Sequence, residues 1–407
     1  MLRHTPDRSV YRPRKRQRQH QHDCSAAADL DIPLPDIGED LVALQESSGA
    51  TFSEAGVALS FESDEEAHSA VRSDAVLADR SHHARFRVSG RDALKFLQAQ
   101  STNDFLPLRP GQGCNTVFVT AQARTIELAT CYVLQPNSVL ITIPADVKQA
   151  LLDRLNKYIF FGDEVEITDV SSQCSQLVMA GPGSKGLLRE LGAPSELLDG
   201  AQGAHGLLNV GGRPVLLAVG SGLHHPGYTL LPDEGVAGEL WSTLTEKGAV
   251  PMGELTWERE RILGGRPRAG RELTEAHTPL EAGLWGCISL DKGCYIGQET
   301  LAKVSKLGAL NRELWGLRLS APAEAGAPVF EDGKKIDEQN SVQEPTASHQ
   351  VPASESASRG LPDGPAAAPP SIKNAQSEEQ QEKLRAMQER LQAWQQQQQQ
   401  QQSQQAS

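Results

Sequence analysis

The sequence predicts an α+β fold. Runs rich in Val, Ile, Thr and Tyr recur, the segments with helical apolar spacing are short, and the two kinds interleave without the rhythm of a doubly wound parallel sheet. In the first clear strand Phe86 and Val88 alternate with Arg85 and Arg87. Ser89-Gly90-Arg91-Asp92 then opens a helix as an imperfect capping box, with Asp rather than Glu three residues after Ser. Ala93, Leu94 and Leu97 form the apolar face of that helix. Strands follow at about 114–119, 125–134 and 138–143, where β-branched and aromatic residues concentrate. Beyond Pro144 the spacing predicts a helix to Tyr158, because Val147, Leu151 and Leu155 fall at i, i+4 and i+8 on one side. Further strands are predicted at 164–169, 176–180, 214–219 and 227–231, and helices near 184–191, 235–246 and 254–263.

Composition bounds the rest. A chain of 407 residues has room for two or three domains. Only 38% of it is apolar and 5% aromatic, against roughly 45–50% apolar in an ordinary globular protein, so part of the chain lies outside any core. Eight consecutive glutamines at 395–402 agree with that. No stretch reaches the roughly 18 apolar residues of a membrane-spanning helix, so no membrane partner is expected. Six cysteines (24, 114, 131, 174, 287, 294) contain no C-x-x-C pair, which argues against a disulfide scaffold or a zinc ribbon and suits a reducing compartment. The net charge of −13 is unevenly shared. Residues 1–28 carry seven basic and two acidic groups (+5), residues 29–79 thirteen acidic groups and Arg72 (−12), leaving −13 − (5 − 12) = −6 for residues 80–407. An acidic globular part offers no broad basic face for nucleic acid.

Residues 1–37 read as a transit peptide and linker. Arg12, Arg14, Lys15, Arg16 and Arg18 precede an Ala26-Ala27-Ala28 run, the basic and nearly acid-free composition of an organelle transit segment. The rival reading of the same residues is a nuclear-localisation or nucleic-acid arm. At the other end, residues 338–407 read as a disordered, Gln-rich tail. Within it Leu384, Met387, Leu391 and Trp394 fall on one stripe, a helix too short to be stable alone.

The densest chemistry-bearing run is Leu290-Asp291-Lys292-Gly293-Cys294-Tyr295-Ile296-Gly297-Gln298-Glu299. Its two glycines imply a tight turn or a close approach. A cysteine two residues from Lys292 has the setting of a thiol whose pKa a cation lowers, which makes Cys294 and Lys292 candidate catalytic residues. The plainer reading is a buried structural cysteine at a turn. The spacing of Cys287 and Cys294, C-x6-C, is not a zinc pattern, and no metal ligand set is assigned. Gly181-Pro182-Gly183-Ser184-Lys185-Gly186 lacks phosphate-loop spacing and reads as a turn before the helix at 184–191.

The run from Lys292 to Glu299 resembles the K-G-C-[YF]-x-G-Q-E signature of YgfZ-type folate-binding proteins, relatives of the glycine-cleavage aminomethyltransferase (T-protein). Other segments resemble the same family: Val88-Ser89-Gly90, Gln100-Ser101-Thr102-Asn103-Asp104, Asn156-Lys157-Tyr158, Ala180-Gly181-Pro182, Arg259-Glu260-Arg261-Ile262 with Gly265, and Pro279-Leu280-Glu281-Ala282-Gly283-Leu284. The run Phe118 to Ile126 is most similar to plastid members, which implies a chloroplast location, with the mitochondrion as alternative. The resemblance spans about residues 40–335 and implies an aminomethyltransferase-like folate-binding region over 38–311, followed at 312–337 by the start of a C-terminal β-barrel. Low-complexity sequence from Asp337 onward makes that barrel look truncated, after an Asp332-Gly333 hairpin signal.

By resemblance, tetrahydrofolate lies in a central funnel, and Arg261 matches an arginine that contacts it. A planar guanidinium suits the carboxylates and polarisable pterin of folate, although an ion pair with Glu258 at i−3 is the plainer use of the same side chain. Asn103, Asp104, Glu281 and Tyr295, which stand in matching motifs, are the other implied folate-binding residues. Two acids of true aminomethyltransferases are not matched. Leu128 stands near the first, and adjacent Glu127 substitutes only if the strand slips by one residue, which turns its side chain to the other face. His224-His225-Pro226-Gly227-Tyr228 stands where the second is expected. The resemblance therefore implies a tetrahydrofolate-binding protein that supports iron–sulfur cluster assembly or repair, with iron–sulfur assembly proteins or client enzymes as partners. A folate-dependent one-carbon (aminomethyl) transferase and a non-catalytic interaction protein are the alternatives.

Overall fold

The structure is a computed structural model that describes residues 41–307, 310 and 312–317, and the backbone of 328–331 and 334–338. The chain divides into two units, residues 1–345 and 346–407, and every described residue belongs to the first. The basic amino-terminal segment, the Asp332-Gly333 turn, the Gln-rich tail and any barrel beyond Glu338 lie outside the described residues.

In chain order the helices are α1 (Leu41–Ser47), α2 (Asp64–Ser73), α3 (Ala93–Gln100), α4 (Lys148–Lys157), α5 (Ser184–Glu190), α6 (Ser195–Leu198), α7 (Glu234–Glu246), α8 (Glu254–Leu263) and α9 (Gln298–Leu307). The strands are β1 (Thr51–Phe52), β2 (Ala58–Ser60), β3 (Val76–Asp79), β4 (Ala84–Ser89), β5 (Gly113–Val119), β6 (Thr125–Gln135), β7 (Ser138–Ile143), β8 (Glu166–Asp169), β9 (Leu177–Ala180), β10 (His205–Val210), β11 (Arg213–Val219), β12 (Gly227–Leu231), β13 (Val250–Met252), β14 (Pro328–Glu331) and β15 (Lys334–Glu338). The α+β expectation holds, and most predicted elements fall within two residues of their observed bounds. The sequence reading missed α1, β1, β2, α2, α6 and α9, and also β3 and β13, which are short, and β10, where polar and exposed positions interrupt the apolar run.

Two sheets dominate. A five-stranded antiparallel sheet has the order β5-β6-β7-β4-β8. One face packs on α3 and α4 through Phe86, Val88, Leu97, Cys131, Ile141, Leu151 and Leu155. The i, i+4 pair Leu151 and Leu155 is fully buried, and each such side chain contributes about 1.5–3 kcal/mol. A six-stranded sheet has the order β10-β11-β12-β9-β3-β13, antiparallel except for the last pair. Its strands alternate as the period of two requires. Leu77, Leu177, Met179, Leu217 and Leu230 face α7 and its Trp241, whereas Val76, Ala78, Val178 and Ala180 face the other way with Trp257 of α8. A smaller cluster joins the sheets: Tyr132 and Leu140 of one meet Ala218 and Leu231 of the other.

The capping box at the start of α3 does not form. Asp92 occupies the cap position without a side-chain cap bond, and its Oδ2 instead accepts the backbone N–H of Glu164 at 3.3 Å. The carboxyl belongs to the junction with β8, a use that needs the tertiary fold to be seen.

Candidate functional site

Between the two sheets lies a cavity of about 100 Å³. Its walls are Leu128, Thr130 and Tyr132 of β6, Thr142 and Ile143 of β7, Val178 of β9, Thr229 of β12, Trp257 and Arg261 of α8, and the turn Arg266-Pro267-Arg268. Four arginines line it, Arg80, Arg261, Arg266 and Arg268, with two glutamates, Glu127 and Glu258. The sequence reading found only Arg261 among these cations. The pair Arg266 and Arg268 in a Gly-Gly-Arg-Pro-Arg turn straight after α8 was the signal available for the rest.

Glu127 is the acid that counting along the strand set aside. The pairing of β5 with β6 jumps from Phe118↔Glu127 to Val119↔Thr125, so Ile126 is an extra residue, a β-bulge. A bulge breaks the alternation of side chains and re-aims them. Ile126 and Ala129 both pack on the α3 and α4 side, and Glu127 and Leu128 both line the cavity. The expectation that an acid one residue away faces the wrong side is therefore corrected. Glu127 is 2% exposed. Its Oε1 accepts the N–H of Leu128 at 2.7 Å, and its buried Oε2 has no hydrogen-bond partner among the described residues. Burial pushes its pKa up to about 8, so the carboxyl is mostly protonated at neutral pH.

The other charged groups differ in how fully they are engaged. Arg261 is gripped by two carboxylates: Nε and Nη2 donate to Glu258 at 2.8 Å each, and Nη1 to Glu272 at 3.0 Å. The i−3 ion pair expected as its plainer use is present. Arg80 donates to Glu254, lies 2.8 Å from His83 Nε2 and stacks 4.5 Å over the Trp257 ring. Burial, then Arg80, hold His83 well below its ordinary pKa, so it stays neutral beside that cation. Burial lowers the pKa of the Arg266 guanidinium, an effect that Cys287 and Glu127 oppose only in their ionised forms.

The segment His224-His225 serves a different acid. Glu260 is wholly buried and is held by His68, by Arg72 at 3.2 Å and by His225 Nε2 at 3.0 Å. That cluster shares no residue with the cavity wall.

The remaining predicted site residues assemble elsewhere, where the carboxy-terminal motif is stitched onto the five-stranded sheet. Lys292 is 6% exposed. Its ammonium donates to Gln98 O, Ser101 O and Asn103 O at 2.6 Å each and lies 4.6 Å from the Tyr295 ring centre. A cation there satisfies carbonyls left open at the C-terminal end of α3 and complements its dipole. Burial pushes the pKa of Lys292 down to about 8, while the three carbonyl acceptors act to keep it charged. The part given to Lys292 from sequence is thereby revised: its three protons are committed to α3 and the following turn rather than offered to a thiol. Ser289 N and Ile296 N extend the seam by donating to Thr102 O at 2.9 Å and Ala99 O at 3.1 Å. Asn103 spans the same turn, donating to Asn115 O at 2.7 Å and accepting from Asp104 N at 2.8 Å. Glu281 accepts from Thr278 N at 2.7 Å. Tyr295 packs with Ala123, Leu280 and Leu301, and its buried hydroxyl has no partner among the described residues.

Gly297 explains the second glycine of the motif. Its φ is +83°, and a Cβ there would stand 2.8 Å from Thr120 O in the β5–β6 turn. Cys294 is exposed, whereas Cys131 is buried and Cys114, Cys174 and Cys287 are intermediate. Of the seven site residues expected from sequence, only Arg261 lines the cavity; Cys294, Lys292, Asn103, Asp104, Glu281 and Tyr295 do not.

Comparison with known proteins places this arrangement. Residues 45–292 match the family model described as the GCVT N-terminal domain. A chloroplastic protein of Arabidopsis thaliana that carries a transferase name is 43% identical over 302 residues, 74% of this chain and 69% of the relative. The aminomethyltransferase of Streptomyces avermitilis is 32% identical over 311 residues, 73% of this chain and 83% of the relative. Among solved structures, the glycine cleavage system aminomethyltransferase T of Bartonella henselae shares the fold, with a TM-score of 0.63 at 20% identity, covering 73% of this chain and 82% of that one. The chain belongs to the GCVT N-terminal domain family, a folate-utilising, aminomethyltransferase-like group.

Proposed function

We propose, from membership of that family, that this chain binds tetrahydrofolate in the cavity between its two sheets and supports iron–sulfur cluster assembly or repair through the loop that carries Cys294. The observation that carries the folate reading is the cavity itself: arginines, a stacked Trp257 and unpartnered polar atoms converge on one space between the sheets. Such a setting suits a ligand with a flat polar ring and carboxylates. The iron–sulfur role rests on Cys294, an exposed thiol on a loop anchored by Lys292 and Gly297. The name of the chloroplastic relative and the basic composition of residues 1–36 support a plastid location. Plastid import of a fluorescent fusion to residues 1–36 is the expected result, and nuclear accumulation sinks that location.

A second reading, folate-dependent one-carbon transfer, is favoured by Glu127, a carboxyl inside the cavity with a pKa near neutrality and thus suited to proton transfer. One experiment tests the primary reading and separates it from the second. Tetrahydrofolate is titrated into the full chain, and Cys294→Ser and Glu127→Gln are scored for rescue of iron–sulfur enzyme activities in cells lacking the protein. The iron–sulfur reading expects micromolar or tighter binding, failed rescue by Cys294→Ser and rescue by Glu127→Gln. The transferase reading expects the reverse pattern of rescue. Absence of tetrahydrofolate binding removes both and leaves the non-catalytic interaction protein.

A further inference from the structure

The Glu260 cluster lies outside the cavity, yet the loop that it holds is part of the cavity wall. That loop, residues 220–226 between β11 and β12, contributes Gly220, Ser221 and Gly222 to the lining. Its other end carries His225, whose Nε2 meets Glu260 of α8 at 3.0 Å, and His224, whose ring centre lies 3.8 Å from that of His225. Ser221 ties the two ends together. Its Oγ donates to His225 O at 2.8 Å and accepts from Leu223 N at 3.1 Å. Leu223 in turn packs in one cluster with Trp257, which precedes Glu260 on α8 and lines the cavity. A displacement of His225 is therefore carried to the wall through Ser221 and Leu223.

Hydrogen bonding fixes where the protons sit. Carboxylate oxygens only accept, so the ring nitrogens against Glu260 are the ones that carry hydrogen: Nδ1 of His68 and Nε2 of His225. The charges around them already balance. Arg72 of α2 faces both Glu260 oxygens at 3.2 Å, and Arg259 of α8 pairs with Glu65 of α2 at 3.2 Å. A second proton on His68 or His225, or one added to His224, brings positive charge beside two arginines whose acids are already engaged. Each imidazole thus holds the loop best when neutral.

We propose that His68, His225 and Glu260 are positioning residues for the cavity: with both imidazoles neutral they latch the β11–β12 loop onto α2 and α8, and acid releases it. Burial, then Arg259, lower the pKa of His68 from 6.5, and burial, then His225, lower that of His224. A histidine harder to protonate in the latched state supports that state above pH 6.5, and the support is lost as pH falls from there toward the lowered value. The latch goes beyond the folate reading, and only the affinity arm of its test rests on that reading.

The test is hydrogen exchange of the full chain at pH 7.5 and pH 5.5, corrected for the intrinsic effect of pH and read on the peptide spanning residues 220–228. Protection there should fall about 3- to 10-fold at pH 5.5, while β7, buried at every position, keeps its own. The double variant His68→Asn, His225→Gln places a non-titrating amide N–H where Nδ1 and Nε2 stand, and it should stay protected at both pH values. In the second arm tetrahydrofolate is titrated at the same two pH values. Because Glu127 also titrates in this range, the quantity read is the difference between wild type and the double variant, which should open by a similar 3- to 10-fold at about pH 5.5. Equal protection of the wild-type loop at both pH values overturns the latch without recourse to any variant. So does an undiminished acid loss of protection in the double variant. A loop that opens in acid while the two proteins keep parallel affinities overturns the positioning role. Absence of tetrahydrofolate binding at both pH values removes the folate reading instead, and the exchange arm still decides the latch.

Discussion

Glu127→Gln should change how stability depends on pH even before any ligand is added. The carboxyl moves from 4.5 in the unfolded chain to about 8 in the folded one because it is buried. Each tenfold change in proton affinity is worth about 1.36 kcal/mol, so the whole displacement has an upper bound of roughly 5 kcal/mol. The sign follows from proton counting. Between pH 4.5 and 8 the folded state keeps a proton that the unfolded state has released, so stability falls as pH rises through that window. From pH 5 to pH 8 the loss from this one group is about 3 kcal/mol. Water penetration reduces it, but Glu127 is too deeply buried for solvent to cancel it. The assay is urea unfolding followed by tryptophan fluorescence at pH 5, 6, 7 and 8. Other groups titrate in the same range, so the quantity of interest is the difference between wild type and Glu127→Gln. That difference should move by about 3 kcal/mol in favour of the variant as pH rises. Parallel pH profiles would refute both the burial of the acid and the bulge that causes it.

Three further outcomes follow from the geometry. Lys292→Met should lower stability by about 2–4 kcal/mol in a thermal or urea melt, since three carbonyls near the end of α3 lose a charged donor. Gly297→Ala should cost about 2–4 kcal/mol by the same measurement, because a left-handed backbone and a Cβ 2.8 Å from Thr120 O act together. Arg261→Ala should destabilise by about 2–4 kcal/mol, as Glu258 and Glu272 lose the cation they share and keep only Arg268, at 3.7 Å from Glu258 and through its backbone N–H to Glu272. Loss of folate binding in that last variant must therefore be read beside its melting curve.

Much of the fold was legible because amphipathic spacing and strand composition are local properties. Leu151 and Leu155 announced α4, and the apolar run from Ser138 to Ile143 is a strand buried at every position. What depended on a distant partner was not legible. Asp92 has the residue type and position of a helix cap, yet it bonds Glu164 across the sheet. Strand β3 has only four residues and gains its identity from β9 and β13, which lie roughly 100 and 170 positions away in sequence.

The site divides along the same line. Motif residues were found as residues, but their roles were assigned by adjacency along the chain, and adjacency is a poor guide to contact. Lys292 stands two positions from Cys294 and spends its charge on α3, almost 200 residues earlier. Arg261 was identified as a cation but not as one already held by two acids, because Glu272 lies eleven residues on, beyond any helical spacing. Glu127 is the sharpest case. Strict alternation along β6 gives the cavity Leu128 and denies it an acid, and that inference is sound for a regular strand. One extra residue at Ile126 reverses it, and a bulge without glycine leaves little trace in composition. In this fold, then, an acid missing from its expected strand position does not establish that the cavity lacks one. The reach of neighbouring carboxyls has to be judged from the register, and here the register returns Glu127 to the cavity.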